Sequence, residues 1–129
     1  MNPFGNPVFT PISVSFKDGQ GNPITQITGG QSYTCTVTLN AAPTAGASAA
    51  MQYNYTGSPP TAVEGGLPEY AGEGKGLPTS NRGYIAIPAG SLSGSASEPT
   101  NAVMTNTYLV VIASIQGAGA FNTLLVTPV

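Results

Sequence analysis

The sequence predicts an all-β domain, a sandwich of seven to eight short strands, on three observations. Apolar and polar residues alternate with a period of two over several short runs. Turn chemistry interrupts those runs about every ten residues. No stretch sustains a helical period. The load of 17 Gly and 12 Pro belongs to these turns and not to disorder, because 40% of the 129 residues are hydrophobic and the net charge is only −2. The length fits one domain with a two-layer core.

Residues 1–11 hold three prolines and no periodicity, so they are expected to form an extended arm ahead of a sandwich over 12–129. "ISVSFK" (12–17) sets Ile12, Val14 and Phe16 against Ser13, Ser15 and Lys17, which is a strand with one buried face. "DGQGNP" (18–23) is dense turn chemistry, and "ITQI" resumes the chain. "SYTCTVTL" (32–39) places Tyr33, Cys35, Val37 and Leu39 inward and three threonines outward. After the break "NAAPTAG", the run 47–55 puts Met51, Tyr53 and Tyr55 on one side.

The regular pattern lapses between Thr56 and Gly83, which reads as a long inserted loop holding Glu64, Glu69, Glu73, Lys75 and Arg82. Loops of that length are uncommon in compact domains and are often functional. "YIAIP" (84–88), "YLVVIASI" (108–115), the tight break "QGAG" and "FNTLLVTPV" (121–129) complete the strand set. In the last two strands, apolar at successive positions, one arrangement sets Leu109, Val111, Ala113, Leu124 and Val126 inward. That arrangement leaves Tyr108, Val110, Ile112, Phe121 and Leu125 outward, so the final sheet is apolar on both faces. Either the arm or long loop covers the second face within one chain, or a partner does.

Composition excludes several functions. With 6% charged residues and a slight acidic excess, the chain lacks the basic surface that holds nucleic acid. No apolar run approaches the length of about 20 residues that spans a bilayer, and the first residues carry no export signal. The absence of histidine removes the usual base for a Ser or Cys nucleophile. Cys35, between Tyr33 and Val37 on the inward face, is expected to be a core residue. Asp18, Gln20 and Asn22 resemble a calcium loop faintly, but no downstream acid completes it. The loop glutamates lack a rigid scaffold that would make them a hydrolase pair. The chain is therefore expected to be no enzyme and to use no metal or cofactor.

The fragments "GGQSYTCTVTLNAAPTAGA", "IPAGSLSGSA", "LVVIAS" and terminal "LLVTP" occur in an order and spacing that resembles the immunoglobulin-like repeats of bacterial surface proteins and phage structural proteins. "KDGQGNPI" (17–24) is similar to the "D-x-x-G-N-P" hairpin of the invasin-like branch. The resemblance spans 12–55 and 84–129 and implies an immunoglobulin-like sandwich, a fold that hosts many functions. An isolated domain of this kind with few charges, an arm and an apolar second face suggests a capsid decoration (cement) protein of a phage virion. Such a protein would sit on the outer head surface against the major capsid protein and self-associate as a trimer or dimer. Its expected partner contacts are Tyr70, Lys75, Arg82, Tyr108, Val110, Ile112, Phe121 and Leu125. The alternative is an adhesive module that binds glycan or receptor through Tyr53, Tyr55, Tyr70 and the long loop.

Overall fold

The computed structural model describes residues 10–57, 61–62, 68–69 and 79–129, with backbone alone for 61–62, 68–69 and 79–82. The described residues form strands and turns without a helix. In chain order the strands are β1 (Pro11–Lys17), β2 (Gln26–Thr28), β3 (Ser32–Leu39), β4 (Ala47–Thr56), β5 (Thr61–Ala62), β6 (Pro68–Glu69), β7 (Thr79–Ile87), β8 (Ser93–Pro99), β9 (Thr107–Ile115) and β10 (Ala118–Thr127). One sheet has the order β1-β3-β8 and the other β2-β10-β9-β4-β7, with β5 and β6 paired separately. All neighbours are antiparallel except β2, which runs parallel to β10. The two main sheets pack face to face, so the all-β, sandwich-like expectation holds.

The period-two pattern explains the core. β1 and β3 turn Val14, Phe16, Tyr33, Cys35, Val37 and Leu39 inward. They meet Met51, Tyr53, Ile85, Ile87, Leu109, Val111, Leu124 and Val126 from the larger sheet. The Phe16 and Tyr33 rings meet edge to face, with centroids 5.5 Å apart and planes at 82°. That geometry sets the positive edge of one ring against the negative face of the other. Burial of each large side chain stabilises by about 1.5–3 kcal/mol.

Ile12 departs from the alternation: it is 59% exposed, not inward. The pairing slips between Pro11 and Ser13, which face Leu39 and Thr38, so Ile12 is the extra residue of a bulge. A bulge shifts every side chain beyond it by one position, which carries Pro11 into the interior instead. β1 thus begins at Pro11, within the expected arm. The long loop also narrows at both ends, since β4 continues through Thr56 and β7 begins at Thr79.

Two glycines are required by geometry. The β9–β10 hairpin turns on Gln116 (φ 52°) and Gly117 (φ 84°), with Ile115 opposite Ala118. Two successive left-handed residues match the twist of the flanking strands, and only glycine takes that conformation without steric cost. Gly94 lies where any Cβ would be driven into the carbonyl of Ala86 on β7, so β8 and β7 approach at backbone contact where the two sheets meet.

Candidate binding surface

The outer face of the five-stranded sheet is where most of the expected contact residues gather. β9 is its central strand, and the register sets Tyr108 opposite Leu125, Ile112 opposite Phe121, and Val110 opposite Thr123. On the other flank Val110 faces Asn54, and Tyr108 faces Thr56. Five expected residues therefore share one surface. Arg82 lies on β7, two strands beyond β9, with its backbone alone described. Tyr70 and Lys75 fall outside the described residues.

The structure corrects two of the five. Val110 is 0% exposed and Ile112 7%, although neither belongs to the cluster between the sheets. Asn54 and Thr56 beside them are buried too. A centre-strand residue is shielded on both sides by its neighbours, and this part of the outer face is enclosed within the single chain. Val110 and Ile112 are consequently buried in the protomer, not exposed as their outward position implied. Tyr108, Phe121 and Leu125 remain half-buried along the β9–β10 side, and Tyr84 on β7 is 70% exposed.

The tyrosines proposed for glycan binding are also relocated. Tyr53 is buried and donates its hydroxyl hydrogen to Glu98 Oε2 at 3.0 Å. Tyr55 is half-buried, and its hydroxyl accepts the Asn101 N–H at 2.9 Å. Both are tied to β8 and the segment that follows it, so neither offers an open ring face for stacking. Of the loop glutamates, Glu64 and Glu73 lie outside the described residues, and Glu69 is described by its backbone in β6.

Cys35 is in the core, as its place in the alternation implies. It is fully buried, and burial, followed by the Glu98 charge, pushes its thiol up to about 12. A reactive cysteine needs a shift in the opposite direction. Burial likewise raises the Tyr33 hydroxyl well above the usual phenol range, and that hydroxyl has no hydrogen-bond partner among the described residues.

Asp18 explains the turn that resembled a calcium loop. Its Oδ1 accepts the N–H groups of Gln20 and Asn22, each at 2.9 Å, while its own N–H donates to the Asn22 carbonyl. The Asn22 N–H is the main reason its carboxyl sits below the usual range. One carboxylate oxygen is thereby engaged in closing the β1–β2 connection.

Sequence reasoning missed a groove of about 480 Å³ beside this turn, lined by Asp18, Gln20, Ile24, Gln26, Gln31 and Thr127 among others. Its polar groups come from several separated segments that no local motif links. They offer amide, hydroxyl and carboxylate partners to a polar ligand, without a nucleophile–base pair.

No family model matches the chain, and no curated protein matches it. Among solved structures it is similar to a superoxide reductase (neelaredoxin) from Ignicoccus hospitalis, with 9% identity and a TM-score of 0.45 over 93% of this chain and 82% of that one. The expectation that the chain is no enzyme is not upheld by this likeness, since the similar structure is named for an enzyme. A likeness at that TM-score carries no activity across to this chain.

Proposed function

We propose that this chain is an immunoglobulin-like decoration (cement) protein of a phage head, which binds the outer capsid surface and stabilises contacts between capsid subunits. The immunoglobulin-like reading is supported by where the family-like fragments fall. The "GG" turn leads into β3, "APTAG" joins β3 to β4, and "PAGS" precedes β8.

The observation that carries the functional reading is the partly open apolar band of Tyr108, Phe121 and Leu125 in a chain with only 6% charged residues. A protein that functions packed against a shell needs less charged surface than a free one. Many copies, each burying such a band at about 25 cal/mol per Å2, raise the cost of separating neighbouring subunits. The partner is the major capsid protein, and copies of this chain associate as trimers or dimers around the shell symmetry.

The test is sedimentation of particles from a lysate of the source, probed for this chain. A fixed ratio to the main shell protein in head-sized particles supports the reading. Recovery only in soluble or cell-wall fractions overturns it. A double variant, Phe121→Lys with Leu125→Lys, should fold normally yet fail to sediment with the heads.

A further inference from the structure

The two main sheets end in four edge strands, and three of them carry devices that prevent strand addition. β2 has only three residues. β1 has Pro11, a bulge and Lys17, and its Val14 carbonyl accepts a hydrogen bond from Asn122 Nδ2 at 2.8 Å. β7 contains Arg82, a register shift and Gly83 at φ +88°. Short length, proline, charge and bulges are the usual means of protecting an edge.

β8 has almost none of these. It runs "SGSASEP" in unbroken register with β3 from Ser93 to Pro99. The Leu39 N–H donates to the Leu92 carbonyl at 2.8 Å, and the Thr100 N–H donates to the Gln31 carbonyl at 3.1 Å. These bonds mark the even-numbered residues of β8 as the ones bonded to β3, because hydrogen-bonded pairs alternate in an antiparallel ladder. The N–H and C=O groups of Ser93, Ser95 and Ser97 therefore point out of the sheet. Ser95 and Ser97 are exposed, and Glu98, the strand's single charge, is half-buried and bonded by Tyr53.

We propose that β8 is a self-association edge, on which the β8 strand of a second copy adds antiparallel about a two-fold axis at Ser95. In this register Ser95 faces Ser95 of the second copy, and Ser93 faces Ser97. About six backbone hydrogen bonds form. Gly94 falls opposite Ala96, both small, and on the inner face the added strand lies beside β7, whose Ala86 carbonyl abuts Gly94. Pro99, which has no N–H to give, falls outside the bonded stretch. Charge favours this register as well: the two Glu98 residues lie about 20 Å apart along the strands, beyond the screening length of about 8 Å at physiological salt. The two three-stranded sheets become one six-stranded sheet. The inference rests on β8 alone and is independent of the phage-head reading.

Sedimentation equilibrium of the full chain up to about 1 mM, where an association worth about 4 kcal/mol is half complete, should show a monomer–dimer equilibrium. Amide exchange sharpens the test. Ser95 and Ser97 should slow about tenfold or more from dilute to concentrated protein, while Gly94 and Ala96 stay protected throughout. Ser95→Pro removes an outward N–H at an edge position that tolerates proline. It should weaken dimerisation about tenfold or more with little change in melting temperature. A chain that is monomeric throughout overturns the proposal. So does a dimer in which the Ser95 and Ser97 amides exchange at a concentration-independent rate. If Ser95→Pro misfolds, exchange in the unmodified chain decides.

Discussion

The two sheets turn very different outer faces to their surroundings. The three-stranded sheet presents Ser15, Lys17, Thr34, Thr36, Thr38, Ser95 and Ser97, all small hydroxyl residues apart from the lysine. The five-stranded sheet presents Asn54, Thr56, Tyr108, Val110, Ile112, Phe121 and Leu125, and its centre is buried. The first is an ordinary two-sided strand pattern with water on one side. In the second, both faces of β9 have become interior. The same alternation is legible in both sheets, but its meaning depends on whether anything lies over the outer face.

The comparison can be broken most directly at Val110. Val110→Lys places an ammonium at a site with no exposure and is expected to destabilise by about 4 kcal/mol or more. Ser15→Lys, on the outer face of the smaller sheet, should change stability by less than about 0.5 kcal/mol. Urea denaturation of the two variants beside the unmodified chain measures both. If Val110→Lys proves as mild as Ser15→Lys, the outer face of β9 is open in solution and the contrast between the sheets disappears.

How far the sequence could reach follows from the same contrast. β3 reads cleanly because every second residue from Tyr33 to Leu39 is apolar and the intervening residues are threonine or serine. β9 reads as a continuous apolar run, "YLVVIA", which locates the strand but by itself chooses neither its inward residues nor the fate of Val110 and Ile112. Ile12 escapes the alternation for a different reason. A bulge depends on how β1 registers against β3, a non-local fact that the six residues around Ile12 do not encode. Tyr53 and Tyr55 looked like ligand platforms because their hydroxyl partners, Glu98 and the Asn101 N–H, lie more than forty residues away. The groove at Asp18 is invisible to sequence for the same reason.

A smaller effect should appear in base. Burial raises the Cys35 thiol from its usual 9.0 to about 12, and raises the Tyr33 hydroxyl as well. Both groups stay neutral in the folded chain at a pH where the unfolded chain would ionise them. Their contribution is complete below the unfolded values and declines as pH rises from about 9 towards 12. Melting temperature should fall across that window, less steeply in Cys35→Ala than in the unmodified chain. Thiol reagents at pH 8 should leave Cys35 unmodified until the protein is unfolded. Prompt labelling of the native chain would mean that the space between the sheets opens readily.

The smallest effect belongs to Asp18, on the surface turn that joins the two sheets through β1 and β2. Its carboxyl is held below the usual 3.8 chiefly by the Asn22 N–H. For a carboxyl with a lowered folded value, the contribution is present above the unfolded value and disappears as pH falls through the folded one. Stability measured from pH 6 down to pH 2 should therefore include a component that weakens below about pH 4. Asp18→Asn should remove that component while leaving the base-side decline unchanged, because Cys35 and Tyr33 lie between the sheets and Asp18 lies on an exposed turn. An acid profile identical in the variant would mean that water satisfies the Gln20 and Asn22 N–H groups as well as the carboxylate does. The turn would then owe its shape to Gly21, which stands at φ +83°, and not to the side chain before it.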